Sequence, residues 1–264
     1  MLLINLVPAY FYEFIIFIIQ MNLKKNPSVI AMIPARYGAT RFPGKLMEML
    51  GKKTVIRHTY EATVATGLFS EVIVVTDSSI IFDEIAAAGG DVVMSLNEHE
   101  SGTDRIAEAA VNMEADIIIN VQGDTPFVKK APLEKLLAQF KDDSVQVASM
   151  MQVLHKQEEI NNPNFVKVTV DKNMNALFFS RSVIPYPRDK SVAVIYYEHI
   201  GVYAFRKKAL LDFTLWPVTP LEAIEKIECL RYLEHGLPLR MVVVDYMGVE
   251  IDTPEDLNKA AKLL

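Results

Sequence analysis

VIAMIPARYGATRFPGK, residues 29–45, opens as an apolar run and turns at once into a loop carrying three cations and two glycines. A run that is apolar at every position, rather than at alternate ones, marks a strand covered on both faces. Three runs of the same kind follow: VIVVT at 72–76, DVVM at 91–94 and IIINV at 117–121. Between them TVIRHTYEATVAT (54–66), SSIIFDEIAAAGG (78–90) and TDRIAEAAVNM (103–113) place apolar residues three and four apart, the helical period. Ser78 or Ser79 caps the second of these and Gly89 stops it. Strand, helix, strand in repetition predicts parallel pairing with right-handed crossovers inside a three-layer α/β/α sandwich.

After Val145 the rhythm changes. VQVASMMQV, VKVTV, ALFFS and VIYYEHIGVYAF follow one another without long helices, broken by NNPN, DKNMN and IPYPRD. This predicts mainly antiparallel strands, as a second lobe or as an extension of the main sheet. A helix LEAIEKIECLRYLEHG is expected from Leu221, then a strand LRMVVVDY. A closing helix is expected in DTPEDLNKAAKLL, where Pro254 starts it and acids fill its first turn.

The chain has 264 residues, 51% of them hydrophobic and 23% charged, enough for a large core and far from the composition of disorder. Lys+Arg 27 against Asp+Glu 33 leaves a net charge of -6, so no broad electropositive face exists for nucleic acid, and a polyanion must meet a local basic cluster. Cys229 is the single cysteine and forms no internal disulfide, which points to a reducing, cytoplasmic setting. The first twenty residues, MLLINLVPAYFYEFIIFIIQ, are apolar but carry Pro8 and Glu13 and lack a basic start. A spanning helix would hold Glu13 near its centre at a cost of about 2.5–3.5 kcal/mol. The segment reads as an extension upstream of a start at Met21, with no stable membrane contact, and a chain starting at Met21 is expected to be fully active.

Ligands of open α/β sheets sit beyond the carboxyl ends of strands, so the loops there carry the chemistry. Arg36, Arg41 and Lys45 fall within ten residues of the first strand, alternating with Gly38 and Gly44, which let backbone N–H groups approach an anion. The spacing is not that of a Walker A loop, and Leu46 stands where a hydroxyl would hold magnesium. A solvated basic turn accounts for Lys45 alone; three cations at a strand end point to phosphate. QGDTP (122–126) follows the fourth run, and Asp124 there suits a carboxylate holding Mg²⁺ against a triphosphate, although such a sequence also serves as a plain turn. Asp252, before Pro254, is either a second acidic ligand or an ordinary helix cap. His199 and Tyr203 are four apart and share a strand face, as ligand groups or as core. Glu222 and Glu225 neighbour each other on a helix, as sugar contacts or as a wet face. His99, between two glutamates and without a second His or Cys nearby, reads as a surface loop residue.

Taken together, IPARYGATRFPGK, HESGTDR (99–105), VQGDTP, NPNFVKV, LFFSRSVIPYPRD, HIGVYAF, PLEAIEKIECLR and DTPEDL resemble the 3-deoxy-manno-octulosonate (Kdo) cytidylyltransferases, in the same order from about Val29 to Leu264. Single motifs are shared with other sugar nucleotidyltransferases; FSRSVIPYPRD with HIGVY is far more specific. The resemblance implies a nucleotide-diphospho-sugar transferase fold that makes CMP-Kdo and pyrophosphate from CTP and Kdo with Mg²⁺, for lipopolysaccharide synthesis. It implies a nucleotide-binding part at 21–145 and a sugar-binding, dimerising part of the same domain at 146–264. It assigns Arg36, Arg41 and Lys45 to the triphosphate, with Arg36, Lys45 and Asp124 catalytic, and Asp124 and Asp252 to the metal. Ser101, Thr103 and Arg105 help to hold the nucleotide, and backbone near Ala35 reads the cytosine. Gln122, Arg181, His199, Tyr203, Glu222 and Glu225 surround the acid sugar. Thr125 stands where the family usually has Glu, which removes one carboxylate from the site. A homodimer is expected through Val192, Val194, Ile195 and Tyr197 of the antiparallel part. Enzymes acting on amino-Kdo, sialic acid or a sugar 1-phosphate, or a non-catalytic nucleotide-binding protein, are the alternatives.

Overall fold

The computed structural model describes residues 27–38, 42–99, 101–245 and 249–264; the expectations for residues 1–20 and for Arg41 lie outside them. In chain order the strands are β1 (Val29–Ala35), β2 (Met49–Leu50), β3 (Lys53–Thr54), β4 (Glu71–Thr76), β5 (Asp91–Met94), β6 (Ile117–Asn120), β7 (Val147–Leu154), β8 (Lys167–Val170), β9 (Ala176–Ser180), β10 (Tyr196–Arg206) and β11 (Leu239–Val243). One mixed sheet runs β11-β7-β10-β6-β1-β4-β5, with β8 attached to β10 and β9 to β8. β1 pairs parallel with β4 and β6, and β4 with β5, as the crossover pattern predicts. The later strands extend this sheet rather than building a lobe of their own: β10 runs antiparallel to both β6 and β7, while β11 returns parallel to β7.

The pleat of β1 divides the core. Ala31, Ile33 and Ala35 face one layer, which holds Ile56 of helix Val55–Ala65, Ile81 and Ile85 of Ser79–Ala87, and Leu133 and Leu136 of Lys130–Leu137. Ile30 and Met32 face the other, with Ile106 and Ala110 of helix Gly102–Ala110 and Leu210 and Phe213 of Lys207–Leu215. Helices on both faces make the three layers, and explain why the β1 run is apolar at both parities.

Two expected elements differ. The stretch from Leu221 is not one helix: it stops after Pro220–Glu225, Lys226 turns left-handed with φ 54°, and a second helix spans Leu230–Glu234. The amphipathic period carries across the break, so periodicity alone hides it. The strand expected from Val194 begins at Tyr196, leaving Val192 and Ile195 exposed in the segment before it. Among the described residues, no helix is long and apolar enough to cross a membrane.

Candidate active site

A cavity of about 350 Å³ opens beyond the carboxyl ends of β1 and β6. Pro34, Ala35 and Arg36 reach it from β1 and its exit, Phe42, Lys45 and Leu46 from the following loop, and Gln122, Gly123 and Asp124 from the loop after β6. His99, Ser101, Gly102 and Arg105 form a further wall, and Asp252 comes from the chain's last turn before helix Pro254–Ala261.

Local geometry delivers each of these groups. Gly44 adopts φ 72°, a left-handed conformation that an L side chain resists, and starts a 3₁₀ turn at Lys45. Gly123 packs so closely that a Cβ there would stand 3.0 Å from the Pro34 carbonyl oxygen and 3.2 Å from Ile56 Cδ1. Its carbonyl accepts from the buried Thr59 hydroxyl at 2.8 Å, and the next carbonyl, that of Asp124, accepts from the Ile251 N–H at 3.0 Å. That bond draws Asp252 beside Asp124. Asp252 is not the helix cap: Thr253 fills that role, its hydroxyl accepting from the Asp256 N–H. The Asp252 carboxylate is thereby turned toward the cavity.

Lys45 Nζ donates to Asp124 Oδ2 at 2.5 Å and to Asp252 Oδ1 at 2.8 Å. Burial works against its charge, but the two carboxylates outweigh burial and raise its pKa, so the ammonium stays charged. Asp124 Oδ1 is buried without a hydrogen-bond partner. A carboxylate with one bare oxygen, beside a second carboxylate, suits Mg²⁺, which takes one or two protein carboxylates and completes its shell from phosphates and water. Among the described residues no group of three or more His, Cys, Asp or Glu forms a closed metal cage. Glu250 was not anticipated; it keeps an exposed side, yet its carboxyl is pushed above the ordinary range by the protein around it and by the Asp124 and Asp252 charges.

The nucleotide set expected from the sequence separates into lining and supporting groups. Arg36 is exposed at the lip, Ala35 is buried beneath it, and Ser101 and Arg105 reach the wall. Arg105 is 3% exposed and donates to Asp77 Oδ2 at 2.6 Å and Ser95 Oγ at 2.9 Å. Thr103 does not line the cavity and donates to Glu228 Oε1 at 2.6 Å. Glu228, whose carboxyl is raised in pKa by burial although hydrogen bonds from Thr103 and Ser101 oppose this, was missed in the sequence; it follows the break at Lys226. His99 is no surface residue: it lines the cavity and pairs with Glu108.

Of the expected sugar set, Gln122 alone lines this cavity, its amide donating to the Gly201 carbonyl at 3.1 Å. Gly201 lies in a bulge of β10, where the register shifts between Ile200 and Tyr203. His199 and Tyr203 flank the bulge on one face, ring centroids 5.4 Å apart, and Ser149 Oγ lies 3.0 Å from His199 Nε2 and bonds the Val202 carbonyl at 2.9 Å. Burial drops the His199 pKa to about 4, so the ring is neutral. Glu222 is engaged by Arg231 in two bonds of 2.7 and 2.6 Å, both residues buried. Glu225 accepts from the Ser180 hydroxyl at 2.7 Å and the Arg181 N–H at 3.0 Å, and the Arg181 guanidinium donates to the carbonyls of Glu225, Pro163 and Lys226. Thr125 is buried at the base of the Asp124 turn, its N–H donating to the Gln122 carbonyl.

Comparison with known proteins shows the family and the fold. Residues 30–243 match the cytidylyltransferase family model. The 3-deoxy-manno-octulosonate cytidylyltransferase of Flavobacterium johnsoniae is 57% identical over 239 residues, covering 89% of this chain and 98% of that protein. The protein of the same name from Christiangramia forsetii is 56% identical over 246 residues, covering 91% and 99%. The solved structure of a CMP:2-keto-3-deoxy-manno-octonic acid synthetase complexed with CTP superimposes with a TM-score of 0.85 at 38% identity, covering 89% of this chain and 98% of that one.

Proposed function

Because the chain belongs to the cytidylyltransferase family, beside the 3-deoxy-manno-octulosonate cytidylyltransferases, we infer from its own side chains how it transfers CMP from CTP to Kdo. The observation that carries this account is the convergence of Lys45, Asp124 and Asp252 at the strand ends, one ammonium held between two carboxylates. In the reaction the anomeric oxygen of Kdo loses its proton to water and forms a bond to the α-phosphorus of CTP, the bond from that phosphorus to the oxygen bridging to the β-phosphate breaks, and pyrophosphate leaves in line. Both partners are anionic, so the enzyme must neutralise charge and hold the two in line. Lys45 and Arg36 face the triphosphate, and Ser101 and Arg105 hold the nucleotide from the further wall. The Ala35 backbone reads the base. Asp124 and Asp252 would hold Mg²⁺, which when bound neutralises phosphate charge and lowers the pKa of the attacking hydroxyl. With the two carboxylates shared with that ion, the Lys45 ammonium would be left to neutralise the phosphates.

On the sugar side Gln122 reaches the cavity, and the bulge that fixes it is framed by His199 and Tyr203. Arg181 and Glu225 tie β9 to helix Pro220–Glu225, and Glu222 steadies that helix through Arg231. We further propose a homodimer: Leu177, Tyr186, Val192 and Ile195 are 62%, 84%, 61% and 60% exposed, an apolar group that a second copy would cover. The lone buried thiol of Cys229 suits a reducing, cytoplasmic setting.

The test is pyrophosphate release from CTP with Mg²⁺ and Kdo, run beside amino-Kdo, N-acetylneuraminic acid and a sugar 1-phosphate. Turnover is expected with Kdo and not with the last two, and a chelator should abolish it. CTP binding without turnover on any of the sugars would leave a nucleotide-binding protein instead.

A further inference from the structure

Helix Gly102–Ala110 begins at the nucleotide cavity, with Ser101 as its N-cap. One face of it also organises the chain that precedes it. Arg105 donates to Ser95 Oγ at 2.9 Å, fixing the start of the turn that leaves β5. One helical turn further on, Glu108 gathers three donors from that turn: the Leu96 N–H at 3.0 Å, the Asn97 amide at 3.2 Å, and the His99 ring Nε2. Apolar burial does not hold this turn in place, since the Leu96 side chain is 90% exposed. The Leu96 N–H, the Asn97 amide and the His99 ring all lead to this one carboxylate. His99, only 12% exposed in its side chain, is the wall between two spaces, the nucleotide cavity and a second of about 370 Å³ lined by Glu108, Val111 and Leu211.

We propose that Glu108 is a positioning residue for the nucleotide, holding the Leu96–His99 turn against helix Gly102–Ala110 so that the His99 imidazole closes the wall of the CTP cavity. A carboxylate does this better than an amide because it accepts all three donors and makes a charge-assisted bond to the ring. Burial works to raise the Glu108 pKa, but the bonds from His99 and the Leu96 N–H outweigh it and the carboxyl is held below its ordinary value, so it stays ionised at neutral pH. Glu108 does not line the nucleotide cavity; it acts through His99.

The inference rests on CTP occupying this cavity, and the test separates the two claims. Equilibrium binding of CTP and steady-state kinetics are measured on the full chain, on Glu108→Gln, on His99→Asn and on the double variant. Glu108→Gln keeps the length and accepts from Leu96 and Asn97 but removes the charge facing His99. It is expected to weaken CTP binding and raise KM for CTP about tenfold, with KM for Kdo and kcat changed less than about twofold and an unchanged melting temperature. His99→Asn should match it, and the double variant should add nothing, since both break one contact. Glu108→Asp, which keeps the charge, should recover part of the affinity. Unaltered CTP binding in Glu108→Gln, or additive losses in the double variant, would overturn the assignment. Equal losses toward CTP and Kdo with a lowered melting temperature would overturn it too, marking the residue as a general support of the fold. No CTP binding by the unaltered chain would instead remove the nucleotide reading beneath it.

Discussion

Asp124 and Asp252 share one ammonium, and the arrangement makes their roles separable by small changes. Asp124→Asn or Asp252→Asn keeps the shape and removes one anionic ligand, so kcat should fall about a hundredfold or more while the thermal melt stays near that of the parent. Near-normal pyrophosphate release at limiting Mg²⁺ would take that residue out of the metal site. Lys45→Ala is expected to raise KM for CTP and lower kcat together, because its charge attracts the triphosphate in the ground state and does so more strongly in the transition state, as negative charge builds on the leaving pyrophosphate; an unchanged kcat/KM for CTP would contradict this. His199 supplies a pH signature. Its folded pKa of about 4 lies below the ordinary 6.5, so between those values the unfolded chain takes up a proton that the folded chain refuses. Stability is therefore undiminished above about pH 6.5 and falls as pH drops toward 4, by roughly 3 kcal/mol at most. Urea unfolding at pH 7 and pH 4.5 checks it: His199→Asn should lose less stability between those values than the parent.

Helix Pro220–Glu225 and helix Leu230–Glu234 are joined across the Lys226 break by Glu222 and Arg231, an ion pair buried at 8% and 6% exposure. Removing one member leaves a charge buried without its partner, so Glu222→Gln is expected to destabilise by about 3 kcal/mol in urea. A stability loss with KM for Kdo unchanged assigns Glu222 to support of the helix pair. A normal urea midpoint with a raised KM for Kdo would make it a sugar contact instead. The break was not legible in PLEAIEKIECLR because Leu221, Ile224, Ile227 and Leu230 keep the helical period straight through it. Of these, Ile227 and Leu230 are buried while Ile224 stands 78% exposed, so the apolar face does not run on.

Across the molecule, two stretches of different rhythm merge in one sheet because β10 pairs antiparallel with β6 and β7 at once. The exposed apolar residues include Val192 and Ile195 on the segment before β10 and Leu177 on β9. Light scattering at micromolar concentration should give twice the chain mass, and Val192→Lys with Ile195→Lys should shift it toward the monomer. A monomer mass for the parent chain would sink the dimer.

The order of strands and crossovers, the cationic loop at 36–45 and the acid at 124 were readable in the chain, because periodicity, glycine placement and strand-end position are local properties. So was the family, because its motifs recur in order. Which charges meet was not. Lys45 finds Asp124 and Asp252 from 79 and 207 positions away, Thr103 finds Glu228 from 125, and the choice between cap and ligand at Asp252 depends on the Ile251–Asp124 backbone bond. Such pairings depend on how separate strand ends converge in space, and a one-dimensional pattern of residue types carries no record of that distance.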